Sequence, residues 1–129
     1  MRIAIVEDDK QFAQTVEKVI RDFFAAKREA VEIRCIEGTT LLGELNVQKD
    51  YDVYLFDVEM PGMNGLELAR KVRFMDADAR IIFLTAYEEY ALRSIKIGAY
   101  YYILKESYQK ELIMILERIC REEEENRKD

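Results

Sequence analysis

The sequence predicts an α/β fold, with five strand–helix units building a parallel sheet of order 2-1-3-4-5 and crossover helices on both faces. Three observations carry that prediction. Short strand-like runs alternate with segments of helical periodicity from one end of the chain to the other. One run, Val31 to Cys35, alternates apolar and polar residues as a half-exposed edge strand does, which places it outermost. Acids, a hydroxyl and an ammonium stand at the ends of the other four runs, where open α/β sheets bind their ligands.

Ile3 to Val6 is a β-branched run and forms the first strand. Asp9 stands where an N-cap belongs. Phe12, Val16, Val19, Ile20 and Phe23 then recur at helical spacing as one buried stripe, with Gln11, Gln14, Thr15 and Lys18 off it. After the Val31–Cys35 strand, Thr39 can cap a short helix containing Leu41, Leu42 and Leu45. Val53 to Phe56 is the third strand, followed by a helix from about Gly65 with Leu68, Val72 and Met75 on its inner face. Ile81 to Leu84 is the fourth strand. The next helix runs from about Glu88 to Ile97, and Gly98 can end it in a left-handed turn. Tyr101 to Leu104 is the fifth strand, and Ser107 can cap a last helix burying Leu112, Leu116 and Ile119. Residues 1–120 read as one domain. The polar tail 121–129 reads either as the solvated end of the last helix or as the stub of a linker to an output domain.

Composition narrows the function. The chain has 129 residues, half of them apolar, with a single proline, which suits one compact domain with a substantial core. Its net charge of −6 argues against nucleic-acid binding by this chain alone. No apolar run approaches the ~20 residues of a membrane span, and the N-terminus carries no signal-peptide pattern. A cytoplasmic location without membrane attachment is therefore the expectation. The two cysteines, Cys35 and Cys120, read as buried reduced thiols. Histidine is absent, so Ser-His-Asp and Cys-His catalysis and His-ligated zinc are excluded, and any phosphohistidine chemistry takes its histidine from a partner.

The most informative stretch is Tyr51-Asp-Val-Tyr-Leu-Phe-Asp57-Val-Glu-Met-Pro-Gly-Met-Asn-Gly65, in which an apolar run delivers Asp57 into a tight loop. Met60 and Pro61 serve loop packing and the turn, while Gly62 and Gly65 relieve backbone strain there. Glu7-Asp8-Asp9 follow the first strand, Thr85-Ala86 the fourth and Lys105 the fifth. Together these groups suit a phosphate and a divalent cation. An aspartate attacks phosphorus only where the phosphoryl charge is neutralised, so phosphoryl transfer demands cations around the transferred oxygens. Carboxylates packed together repel by about 4 kcal/mol per pair at ~4 Å and an effective dielectric near 20. A hard cation such as Mg²⁺ suits such an all-oxygen site.

These motifs, in this order and spacing, resemble the receiver domain of bacterial two-component response regulators, whose fold is the flavodoxin-like (βα)₅ sandwich. The resemblance covers essentially the whole chain. It implies that Asp57 is the phosphoacceptor, taking its phosphoryl group from a sensor histidine kinase, with Lys105 and Thr85 contacting phosphoryl oxygens. It implies Mg²⁺ (or Mn²⁺) held by Asp8, Asp57, Glu7 through water and the Glu59 main-chain carbonyl. Thr85 and Tyr102 would form the switch, reshaping the face of the fourth helix, fifth strand and fifth helix, through which a homodimer can also form. Gln11, Gln14, Thr15 and Lys18 would meet the kinase. The module would catalyse only its own phosphorylation and dephosphorylation, and Glu59 and Tyr87 would flank the route of the hydrolytic water. Within the family, Met63-Asn-Gly-Leu-Glu-Leu68 and Glu89-Tyr-Ala-Leu-Arg-Ser-Ile-Lys-Ile-Gly-Ala99 most resemble regulators with a LytTR-type DNA-binding output, so the output expected is transcription.

Two residues depart from the family pattern. Glu7 stands where Asp is commoner. Glu106 follows Lys105 where proline, often with a cis bond, is typical; a non-proline cis bond costs ~2.5–4 kcal/mol, so a trans bond is expected. These departures are the support for an alternative, a degenerate receiver that acts as a phosphorylation-independent binding module. An aspartyl phosphatase is disfavoured, because such enzymes carry Asp-x-Asp on their first strand and Asp57-Val-Glu59 offers neither that place nor the second aspartate. No Gly-x-Gly-x-x-Gly follows the first strand to support dinucleotide binding.

Overall fold

The computed structural model describes residues 1–45 and 51–127. Strand β1 (Arg2–Val6) pairs in parallel with β2 (Glu32–Ile36) on one side and β3 (Val53–Phe56) on the other. Next come β4 (Arg80–Thr85) and β5 (Tyr101–Leu104), giving the order β2-β1-β3-β4-β5, the expected 2-1-3-4-5 sheet with the alternating strand at its edge. Between β3 and the next helix, Glu59–Met60 and Met63–Asn64 form a small antiparallel hairpin.

Side chains alternate across the sheet and divide the core in two. Ala4, Val6, Tyr54, Phe56, Ile81 and Phe83 face α2 (Gly38–Glu44), α3 (Gly65–Met75) and α4 (Ala91–Ile97). Ile3, Ile5, Val53, Leu55, Ile82, Leu84 and Ile103 face α1 (Lys10–Lys27) and α5 (Tyr108–Arg127). Each fully buried aliphatic or aromatic side chain contributes about 1.5–3 kcal/mol, so two complete layers fix the strand register. That register sets Val6 beside Phe56 and Thr85 beside Leu104. Glu7 and Asp57 therefore leave neighbouring strands at one level, and Lys105 leaves β5 just beyond Thr85.

Several helices differ in detail from expectation. In α1 the buried residues are Ala13, Val16, Ile20 and Phe24, whereas Phe12, Val19 and Phe23 lie at the margin. The small Ala13 takes the position facing the sheet, which turns the stripe and leaves Phe12 beside the strand ends. α2 starts at Gly38 after Glu37, so Thr39 lies inside the helix rather than at its cap, and Leu42 faces outward. Asn64 caps α3 by accepting from the Leu66 N–H at 2.8 Å. Leu68 and Val72 are buried as expected, but Met75, in the last turn, is largely exposed. α4 begins at Ala91, not near Glu88, and Gly98 ends it at φ 82° as expected. Lys105–Ser107 form a 3₁₀ turn, so Ser107 lies in that turn rather than capping α5. Leu112, Leu116 and Ile119 are buried. α5 runs on through residues 121–127, where Glu122 and Glu123 accept from Arg80 at 3.3 and 2.6 Å and Glu122 also accepts from the Tyr100 hydroxyl at 2.9 Å.

Cys120 is buried, whereas Cys35, on the edge strand, is exposed. Its Sγ donates to Glu17 Oε1 at 3.3 Å. Partial burial of the sulfur, then Glu17, pushes the thiol up to about 11. Arg73 locks α3 to its neighbours. Its guanidinium donates to the carbonyls of Asp76, Ala77, Ala79, Ile97 and Gly98, at 2.7–3.3 Å.

Candidate functional site

The C-terminal rim of the sheet gathers a half-buried ion cluster. Lys105 Nζ lies 2.9 Å from Asp57 Oδ2 and 3.1 Å from Glu7 Oε1, so one ammonium bridges the two carboxylates. Each Asp57 oxygen has a donor, because the Glu59 N–H reaches Oδ1 at 3.3 Å. The Asp9 N–H donates to Glu7 Oε1 at 3.3 Å, and Asp9 caps α1 by accepting from the Phe12 N–H at 3.1 Å. Asp9 is thus the expected N-cap.

One lysine does not neutralise this rim. Burial, and then the charge of Asp57, push the Glu7 carboxyl up to about 7 against the opposing pull of Lys105. Burial also works against the Lys105 ammonium, but Asp57 and then Glu7 outweigh it and hold its pKa above the ordinary lysine value. Asp8, partly exposed, makes no hydrogen bond or ion pair with these groups. Among the described residues no three Asp, Glu or Cys side chains form a closed cage. An open, all-oxygen rim suits a hard cation that keeps several waters and uses only one or two carboxylates, and Glu7 and Asp57 are the two carboxylates that meet here.

Thr85 is fully buried at the end of β4, and its Oγ1 accepts from the Tyr87 N–H at 3.4 Å. The Tyr102 hydroxyl donates to the Tyr87 carbonyl, tying β5 to the loop after β4. Burial pushes the Tyr102 phenol up to about 12. The Lys105–Glu106 bond is trans.

Three contributors were not legible in advance. Glu59 Oε1 accepts from the Tyr90 hydroxyl at 2.9 Å, linking the loop after β3 to the start of α4. The Phe12 ring lies under the Lys105 ammonium, 4.6 Å from Nζ to the ring centroid. Gly65 acts through closeness rather than strain. A Cβ there would fall 1.9 Å from the Asp57 carbonyl oxygen, while Gly62, at φ 70°, is the glycine whose backbone needs the left-handed region. Phe12 does carry a visible signal, its helical spacing, but that signal points to the core.

In a doubly wound parallel sheet, such a rim at the strands' C-terminal ends is where ligands bind. The chain belongs to the response regulator receiver domain family, whose model matches residues 3–117. Among curated relatives it is 35% identical over 123 residues to transcriptional regulatory protein RprY of Bacteroides fragilis, covering 94% of this chain and 50% of that one. It is 40% identical over 79 residues to sensory transduction protein LytT of Oceanobacillus iheyensis, covering 58% of this chain and 32% of that one. The chain thus spans half or less of the length of these relatives. Among solved structures it resembles the response regulatory domain of mrkE from Klebsiella pneumoniae, with TM-score 0.83, 25% identity, and 97% and 99% of the two chains covered. It also resembles TrrA of Thermotoga maritima in complex with Mg²⁺-BeF, with TM-score 0.72, 30% identity, and 91% and 96% covered. It is a signalling module of the two-component class.

Proposed function

We propose that Asp57 accepts a phosphoryl group from the phosphohistidine of a sensor histidine kinase in a Mg²⁺-dependent reaction, and that the phosphorylated state reshapes the α4-β5-α5 face to control an output. The observation that carries this reading is the Lys105 bridge between Asp57 and Glu7 at the sheet's rim. A carboxylate, an ammonium and a second acid meeting at the end of the sheet support phosphoryl entry at Asp57.

An Asp57 carboxylate oxygen attacks phosphorus, the phosphorus–nitrogen bond to the partner's imidazole breaks, and the imidazole leaves with a proton. Lys105 then turns from carboxylate to phosphoryl oxygen as a point charge. Thr85 Oγ1 supplies a hydrogen bond to another oxygen. Glu7, Asp8, Asp57 and the Glu59 main-chain carbonyl would hold the metal. Mg²⁺, when bound, neutralises charge on the transferred oxygens. The Thr85–Tyr87–Tyr102 hydrogen-bond chain offers the path by which an event at Asp57 biases an existing equilibrium on the α4-β5-α5 face. That face exposes Leu92 and Ile95, 78% and 68% accessible, and is a suitable surface for homodimerisation.

Residues 1–120 would be the receiver, and 121–129 either its polar tail or the stub of a linker to an output domain that regulates transcription. The similarity to LytT supports a LytTR-type output. The kinase docks beside α1, where Gln11, Gln14, Thr15 and Lys18 are its candidate contacts. A cytoplasmic location follows from that chemistry, and no described helix is long and apolar enough to cross a membrane.

The test is intact mass after incubation with acetyl phosphate and Mg²⁺. One phosphoryl adduct, abolished by EDTA and by Asp57→Asn, is expected. No adduct on folded protein would make this a phosphorylation-independent binding module.

A further inference from the structure

We propose that Phe12 is a positioning residue for Lys105, its ring face holding the ammonium in register with Asp57; this deepens the proposed phosphoacceptor role and rests on it. The backbone around Lys105 does little to fix its side chain. Lys105 opens a 3₁₀ turn, and Glu106 follows it, so no proline ring constrains the chain. A lysine stem has four rotatable carbons and keeps much rotamer freedom unless something packs against it. Phe12 provides that contact, with Nζ 4.6 Å from its ring centroid while the bonds to Asp57 and Glu7 stand at 2.9 and 3.1 Å.

The ring is itself held. Phe12 stands in the first turn of α1, just after the Asp9 cap, and its own N–H is the one Asp9 accepts. It meets the ring of Tyr108, the first residue of α5, in a T-shaped pair with centroids 5.3 Å apart at 69°. Phe12 therefore sits at the junction of α1, α5 and the rim, and it is only partly buried, as a core phenylalanine with no other duty need not be. An aromatic face attracts an ammonium without consuming any of its N–H donors. Lys105 can thus swing its hydrogen bonds from Glu7 to a phosphoryl oxygen while staying over the ring. A second carboxylate in that place would hold the charge but compete with the phosphoryl group.

The first test reads the ring's contact directly. In ¹³C-lysine-labelled wild type, ring current should shift the Lys105 ε-methylene protons upfield, as Phe23 does less strongly for Lys27 at 5.4 Å, and Phe12→Leu should remove the Lys105 shift alone. An unshifted Lys105 resonance would overturn the proposal without touching the phosphoacceptor reading. The second test compares phosphorylation by acetyl phosphate in wild type, Phe12→Leu and Phe12→Tyr. Leucine keeps an apolar side chain but has no ring face, and tyrosine restores the face. We expect the maximal rate of the leucine variant to fall about three- to tenfold at unchanged half-saturating donor concentration, with tyrosine recovering it. Equal rates in all three, or equal losses in both variants, would refute the role of the ring. Failure of wild type to label would instead refute the phosphoacceptor reading itself.

Discussion

Gly65→Ala puts one methyl group where the structure has no room for it. The added Cβ would lie 1.9 Å from the Asp57 carbonyl oxygen, 2.9 Å from its carbon and 3.0 Å from Val58 Cα. Ordinary contact begins at 3.4 Å, so the backbone must open by about 1.5 Å, and no flexible side chain is available to absorb it. The Gly65 N–H is bonded to the Val58 carbonyl at 2.6 Å, so the movement also strains the hydrogen bond that closes the loop. Overpacking costs typically 1–3 kcal/mol and a weakened hydrogen bond about 0.5–1.5 kcal/mol, giving a loss of about 2–4 kcal/mol. The displaced atoms belong to Asp57 and its neighbour, so chemistry suffers beyond stability; a misplacement of ~1 Å can cost on the order of 10²-fold. Urea denaturation followed by circular dichroism reads the first effect, and the acetyl phosphate labelling rate, measured well below the unfolding transition, reads the second. A Gly65→Ala protein with unchanged urea midpoint and unchanged labelling would show that the loop is not seated against Asp57 as described.

Two further perturbations address the scaffold and the edge strand. Arg73→Met removes the donor to five carbonyls at the junction of α3, α4 and β4, and should cost about 2–4 kcal/mol by urea denaturation, with Arg73→Lys restoring little because an ammonium cannot span the same fork. Cys35, exposed but with its thiol raised from 9.0 to about 11, should carry about a hundredfold less thiolate at pH 8 than a free cysteine. Because the neutral form is favoured, its reaction with a disulfide reagent should climb through pH 9–10 without a plateau. Glu17→Gln should speed the reaction at pH 8; a plateau near pH 9 in wild type would contradict the raised thiol, and an unchanged rate in Glu17→Gln would contradict the Glu17 contact.

The sheet order was legible because β2 shows its exposure in alternation while its neighbours do not. Helix starts were legible only where a side chain caps them. Asp9 and Asn64 do so, but Glu37 and Tyr90 occupy the equivalent positions of α2 and α4 without any side-chain cap hydrogen bond. The rim residues could be read because strand register carries them there whatever the loops do. Contacts such as Tyr90 to Glu59, 31 residues apart, depend on loop paths that no periodicity encodes. Phe12 was read as core because spacing reports which way a helix faces, not which neighbour awaits it. The role of Gly65 likewise depends on the return path of the loop past Asp57, which only the folded chain reveals.

The most direct measurement is to locate the modification chemically. Borohydride reduction of the acetyl phosphate-treated protein converts an aspartyl phosphate to homoserine, which peptide mass spectrometry can place. Homoserine at position 57 alone, dependent on Mg²⁺, is the expected result. Conversion at Asp8 or another acid, or none at all in protein shown to be folded, would contradict the assignment of Asp57 as the phosphoacceptor.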